Sequence, residues 1–539
     1  MNPAIDRSED LMGQSGWGIE KFGNGMGSNE AIGSVNSSAV AKSTGTLQKT
    51  AFDSGSYRDR TGRVVHHQNR IYRLLNDSGA EDWRHVRSTR FWEDAQQQGK
   101  VVRTTEVEGI GWEELESDQK WAMALEHERI PFISYPYEWS WSMLRDAALL
   151  HLDLLQEGLK ESVLTKDGSA YNVQWRGVTP TFIDIGSLCR WNEGDAWVGY
   201  RQFCQTFLFP LMLTAHQGIP FQPWLRGTLD GIEVREISRA FGWWDFWKSG
   251  VLVDVWLHHQ LQKRGDSNAG NRHVAAPGPR LSRSMIQNNL GRLKRSVERL
   301  APRISGTHWA GYANRNSYST DDQLKKQAFI REISERKHWG LVWDIGCNTG
   351  DFSRLVAPHA DQVVAIDGDL SSVELLYQEL RRTGVKNILP LCVNLADASP
   401  NQGWLGKERR ELSDRGRPDL VLALALIHHL VIGANLRMTE VIDWFAELGG
   451  ELAIEFVGRD DPMVKSLLRH KPDHYFDYDQ VYFEELLRCH YRIERREDLI
   501  SGTRTIYHCV SHEVDSGEVD SGEVDSGKNS RTAGSHVAS

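Results

Sequence analysis

Beyond residue 340 the apolar positions come in short, nearly unbroken runs separated by polar turns and by stretches of helical spacing. Residues 341–345, 362–367, 387–394, 419–425 and 450–457 read as five strands. Residues 351–356 open a first helix and 370–382 form a second. Apolar strands alternating with helices predict a parallel sheet covered on both faces. Residues 491–499 and 503–510 flank Ser501-Gly502 and predict a terminal hairpin. The apolar run 420–436 is broken by His428 and His429. It falls short of the roughly 18 residues a membrane span needs and reads as a buried strand.

Upstream the pattern changes. Residues 56–262 are rich in tryptophan, with Trp139, Trp141, Trp175, Trp191, Trp197, Trp243 and Trp244 as large anchors for a separate α+β core. Residues 263–280 hold Gly265, Gly270 and Pro277-Gly278-Pro279 and mark a boundary. A helix over 282–300 follows, with Met285, Leu290, Leu293 and Val297 on one face and basic residues on the others. It reads as a solvated connector, because no aromatic residue is interleaved to stack on bases. Residues 1–55, dominated by Gly, Ser and Asn, read as a disordered leader. Glu-Val-Asp-Ser-Gly, three times in succession over 513–527, gives the segment 512–539 the character of a low-complexity tail. Residues 306–511 form the C-terminal domain that holds the alternating strands and helices.

Composition narrows the class. The chain has 539 residues, 40% hydrophobic and 25% charged, as ordinary globular proteins do. The net charge of −10 owes much to the tail acids Glu513, Asp515, Glu518, Asp520, Glu523 and Asp525. The remainder is close to balanced, so there is no strong nucleic-acid signal. Six cysteines form no Cys-x-x-Cys pair and no zinc spacing, so reduced thiols and no metal site are expected. Met1–Trp17 lacks a basic segment leading into an apolar one, and a cytoplasmic location is expected.

The candidate chemistry lies at strand ends. Asp344-Ile-Gly346-Cys-Asn348-Thr-Gly350 joins the first strand to a helix, where glycines admit close approach and helix-start amides face a ligand. Its Gly-x-x-x-Gly spacing differs from the dinucleotide fingerprint. Asn348 stands where a third glycine is expected, and asparagine tolerates positive φ best among the other residues. Asp367 ends the second strand 21 residues after Gly346, the distance at which an acid takes ribose hydroxyls in such folds.

WDIGCNTG at 343–350, VVAIDGD at 363–369 and DLVLALALIHHL at 419–430 resemble the class I S-adenosylmethionine-dependent methyltransferases. The resemblance implies a Rossmann-like seven-stranded α/β sheet in the C-terminal half and S-adenosyl-L-methionine as cofactor. It implies that Asp344, Gly346 and Gly350 surround the methionine part, that Asp367 holds the ribose, and that Asn394 and Asp397 contact the adenine. TxWxxY at 307–312, SPNQGW at 399–404 and EFVGRDDPMVKSLL at 455–468 further resemble a group of rhizobial host-specific nodulation proteins. A small-molecule or glycolipid acceptor follows from that likeness.

Methyl transfer needs positioning, and a base only if the acceptor must lose a proton. His428 and His429, after the fourth strand, are the candidates for that base, with packing as the alternative. Glu455, Asp460 and Asp461 end the fifth strand and suit loop capping or acceptor contact. Trp309 and Tyr312 suit either a lid over the cofactor or core packing.

In the first half, Asp167, Asn172 and the strand-end Asp184-Ile-Gly186 resemble the layout of protein and aminoglycoside kinases. Leu164-Thr165-Lys166 replaces the usual residues before the aspartate. Neither a glycine-rich phosphate loop nor a strand lysine is identifiable. A degenerate kinase-like domain for binding is expected. The alternatives to methyl transfer are a kinase-like binding or regulatory protein sensing S-adenosylmethionine without turnover, and a phosphotransferase using Asp167, Asn172 and Asp184.

Overall fold

The structure, a computed structural model, describes residues 51–108, 120–242, 245, 254–255, 281–303, 320–469, 471–472 and 474–512. Residues 513–539 of the expected tail, residues 263–280 of the boundary segment, most of the leader, and Trp309, Tyr312, Trp243 and Trp244 lie outside the described residues.

A five-stranded antiparallel sheet opens the first half. It comprises β1 (Ala51–Phe52), β2 (Gly62–His67), β3 (Arg70–Leu75), β4 (Thr104–Val107) and β5 (Met123–His127), in the order β1-β2-β3-β5-β4. The expected leader therefore ends too late: Ala51 and Phe52 pair with His66 and Val65. Composition averaged over fifty polar residues hid a two-residue edge strand.

The helix Trp141–Lys160 forms the spine of the helical part. Ser140 caps it, and it buries Leu144, Ala148, Leu152 and Leu155 on one face. Two small hairpin-like pairs follow, β6 (Val163–Thr165) with β9 (Leu188–Arg190) and β7 (Val173–Arg176) with β8 (Thr179–Phe182).

The basic helix is Arg283–Arg299, and it belongs to the first half rather than serving as a connector. Ile286, Leu290, Leu293 and Val297 are its buried stripe, and Lys294 pairs with Asp153 of the spine helix at 2.6 Å. Met285, expected on the apolar face, is exposed, and Ile286 takes its place one residue on.

The second half is a seven-stranded sheet of β10 (Trp339–Ile345), β11 (Ala360–Asp367), β12 (Ile388–Cys392), β13 (Leu420–Ala423), β14 (Glu451–Val457), β15 (Tyr491–Asp498) and β16 (Arg504–Ser511). Its order is β12-β11-β10-β13-β14-β16-β15. The first five are parallel and β16 runs antiparallel beside β14. The parallel strands are buried on both faces, as their unbroken apolar runs require. Of the run 420–436 only Leu420–Ala423 is strand, and His429–Gly433 forms a π-helical turn. Sheet pairing ends where the chain must leave the sheet edge to build a site.

The halves meet through buried groups. Phe132 meets the Trp343 ring edge-on at 5.8 Å, and Trp175 meets Tyr377 at 5.7 Å. Arg415 of the second half forks onto Glu138 of the first at 2.6 and 2.7 Å, with both side chains out of solvent.

Candidate active site

A cavity of about 560 Å³ opens at the carboxyl edge of the parallel strands, where ligands sit in open α/β sheets. Asp344, Gly346, Cys347, Asn348, Asp367, Asn394, His428 and His429 all line it. Residues drawn from four strand ends thus converge as the sequence suggests.

The glycine loop has the conformation its residues predict. Gly346, Asn348 and Gly350 have φ of 77°, 49° and 78°. At Gly350 a Cβ would lie 2.5 Å from Leu376 Cδ1, so glycine is required both by backbone and by space. Asp344 is buried behind the loop, where it accepts from Ser353 Oγ. Burial pushes its carboxyl up to about 6.

Asp367 accepts from the backbone amides of Asn348 and Asp369, each at 2.8 Å. Burial raises its pKa despite those amides. The carboxylate ties the loop to the strand end and presents its remaining lone pairs to the cavity. Asn348 Oδ1 is a buried acceptor with no partner among the described residues. Such an orphan on a cavity wall fits a ligand that donates there.

Asn394 caps the single turn Leu395–Asp397 by accepting from the Ala396 amide at 3.1 Å. Asp397, expected at the adenine, does not line the cavity. Arg226 of the first half takes its carboxylate through Nη1 and Nη2 at 2.8 and 2.6 Å. A cation delivered from far along the chain outcompetes the role that position alone suggests.

His428 and His429 line the cavity with ring centroids 4.1 Å apart and ring planes tilted by 40°. Burial lowers both pKa values, and the neighbouring Arg504 adds to the effect. Both rings are accordingly neutral near pH 7. His428 Nδ1 is buried without a partner among the described residues. Ala425, just before them, holds φ of 51°, and its amide donates to Glu455 Oε2 at 2.8 Å. Strain of this sort persists only where surroundings enforce it.

The three carboxylates expected at the end of the fifth strand divide. Glu455 is buried and paired with Lys326 at 2.6 Å and Arg504 at 3.4 Å. Asp461 caps the helix Pro462–Leu468 and pairs with Arg504 Nε at 2.7 Å. Asp460 is exposed beside Lys465. Lys326 and Arg504 both line the cavity, and neither is anticipated by motif. A signal for Lys326 exists, since it shares one helical face with buried Asp322, Phe329, Ile330 and Ile333. A polar residue on an apolar stripe marks a paired charge.

In the first half, Asn172 Nδ2 donates to Asp167 Oδ1. Burial and the negative Asp184 push the Asp167 carboxyl up. Asp184 is paired with Arg73 of β3 at 2.8 Å, and Arg73 also reaches Asp59 at 3.5 Å. The sequence offers no strand lysine, and the strand cation here is this arginine.

The strand order, with an antiparallel β16 inserted beside β14, and the cavity at the parallel edge define an α/β domain of the class I methyltransferase type. The chain is 30% identical over 456 residues to the nodulation protein NoeA of Rhizobium meliloti (strain 1021), covering 84% of this chain and 95% of that protein. It belongs to the NoeA family. No protein-family model matches it. Among solved structures, the N-methyltransferase NodS from Bradyrhizobium japonicum WM9 is 14% identical, spanning 36% of this chain and 99% of that one, with a TM-score of 0.27. NodS in complex with S-adenosyl-L-homocysteine is 13% identical over 38% of this chain and all of that one, with a TM-score of 0.28. Among the described residues no helix is long and apolar enough to cross a membrane.

Proposed function

We propose that the chain is an S-adenosylmethionine-dependent methyltransferase whose site is the cavity between the glycine loop and the histidine pair. The observation that carries this reading is Asp367, held by the Asn348 and Asp369 amides at the mouth of a loop whose orphan Asn348 Oδ1 awaits a donor. Asp367 would hold the ribose diol, Gly346 and Gly350 would admit the methionine part, and Asn394 would border the adenine. S-adenosylmethionine, when bound, supplies a methyl group on a sulfonium centre. His428 and His429, uncharged near pH 7, would each be placed to take a proton from an acceptor in the cavity. The relative's name supports a role in nodulation. A small molecule or a glycolipid as acceptor and a cytoplasmic setting complete the proposal.

For the first half, Arg73 favours a kinase-like binding domain over a phosphotransferase. The order β1-β2-β3-β5-β4 and the Asp167, Asn172 and Asp184 cluster support kinase likeness. Arg73 already neutralises Asp184, the carboxylate a metal would need.

The test is photocrosslinking of labelled S-adenosylmethionine to the full chain, competed by S-adenosylhomocysteine. Label should map to the second half and vanish in Asp367→Ala. Label that maps to the first half, or survives in Asp367→Ala, contradicts the assignment.

A further inference from the structure

Arg226 stands at the end of the short helix Gln222–Gly227 in the first half, yet its best partners belong to the second. Its Nη1 donates to Asp397 O at 2.9 Å and Asp397 Oδ2 at 2.8 Å. Its Nη2 donates to Asp397 Oδ1 at 2.6 Å and Ala398 O at 3.1 Å. One guanidinium therefore holds a carboxylate by the fork and two successive backbone carbonyls. The Arg226 carbonyl in turn accepts from Gln402 Nε2, closing the contact from both sides. The helix is itself fixed, since Gln222 Nε2 donates to Trp139 O at 2.9 Å.

The segment so gripped is the turn after β12. Asn394, Leu395 and Ala396 face the cavity, and Asp397 and Ala398 continue directly from them. Asn394 holds the turn by two bonds, its side chain accepting from the Ala396 amide at 3.1 Å and its carbonyl from the Asp397 amide at 3.0 Å. A turn of three residues has little bonding of its own, so an external clamp decides how long it keeps one shape. Ser399, next in line, is tied to Glu138 of the first half as well. Among the described residues the glycine loop is held instead by Asp367 from within its own sheet.

We propose that Arg226 is a positioning residue for the cofactor cavity, and that the first half sets cofactor affinity by fixing the turn at 394–398. This rests on the reading of the cavity as a site for S-adenosyl compounds. Arg226 does not line the cavity. It acts by keeping the Asn394 side of the cavity in its binding shape, so that a ligand need not order that wall on arrival. The fork and two carbonyls require a planar group with several donors, so lysine retains the charge but loses the geometry.

The test is calorimetric titration of the full-length chain with S-adenosyl-L-homocysteine, comparing wild type with Arg226→Ala, Arg226→Lys and Asp397→Asn. Arg226→Ala should weaken binding about ten-fold, and Arg226→Lys should recover part of that loss. Asp397→Asn should also weaken binding, although it does not line the cavity. Added to Arg226→Ala, it should cost little more, because the two act through one contact. The melting temperature without ligand should barely move, which separates positioning from general loss of fold. Equal binding by wild type and Arg226→Ala overturns this inference alone. A wild-type chain that binds neither S-adenosylhomocysteine nor S-adenosylmethionine overturns it together with the methyltransferase reading.

Discussion

Lys326 Nζ and Glu455 Oε2 lie 2.6 Å apart with both side chains closed off from water. The lysine comes from the helix Thr320–Glu335 that precedes the sheet, and the glutamate from the middle of β14. Glu455 also receives the strained Ala425 amide, so one carboxylate joins the leading helix, the sheet and the chain entering the histidine pair. Replacing Lys326 with Met should leave Glu455 short of its nearest cation and cost about 3–5 kcal/mol. Urea unfolding of Lys326→Met checks this, and Lys326→Met combined with Glu455→Gln should recover part of the loss. A single variant as stable as wild type would show the pair to be dispensable.

Gly350 is expected to tolerate no side chain. Alanine there must hold φ near 78° and drive its Cβ into Leu376. The backbone term alone is about 1–2 kcal/mol. Gly350→Ala should therefore lose at least that stability in urea unfolding and bind S-adenosylhomocysteine more weakly, while Gly384→Ala, with nothing near its Cβ, should affect stability only.

His151 gives the pH dependence a sign. Its ring is buried among Phe182, Trp197, Phe203 and Phe207, and neither nitrogen has a partner among the described residues. Burial pushes its pKa down to about 3. The unfolded chain takes up a proton below about pH 6.5 and the folded chain does not, so stability is complete above that pH and erodes as pH falls toward the folded value. The slope from this group is about 1.4 kcal/mol per pH unit. His151→Phe, which keeps the aromatic box, should remove that slope between pH 6.5 and 4.5. Denaturation curves across that range decide it, and an unchanged slope would contradict the account.

Much of the second half is legible in the sequence because parallel strands carry their burial as unbroken apolar runs. Glycine, asparagine and the strand-end acid at Asp367 also announce a local backbone geometry. What escapes is what arrives from elsewhere in the chain. The resemblance puts Asp397 at the adenine, and only the fold reveals Arg226, 171 residues away, on its carboxylate. Lys326 and Arg504 meet Glu455 through pairings that no motif encodes. Arg73 is a strand cation that a search for lysine passes over, and Ala51–Phe52 is too short to stand out against a polar leader.

The interface between the halves should behave as core. Arg415 and Glu138 are buried as a bidentate pair, and Trp175, Phe132 and the Arg226 clamp lie on the same boundary. Arg415→Ala should cost about 3–5 kcal/mol by stranding Glu138, and thermal unfolding of the full chain should show one transition for both halves. Residues 320–512 expressed alone should be less stable than within the whole chain, with Trp343 and Tyr377 stripped of their covers. Two well-separated transitions in the intact protein would contradict a shared core.

The most direct measurement of the central claim is calorimetric titration of the full-length chain with S-adenosyl-L-methionine, S-adenosyl-L-homocysteine and MgATP in turn. The account predicts saturable, one-site binding of both adenosyl compounds, lowered at least ten-fold in Asp367→Ala through the loss of hydrogen bonds to a charged group. It predicts no comparable binding of MgATP, because Arg73 holds Asp184. Binding of MgATP alone would contradict the assignment and move the chemistry to the first half.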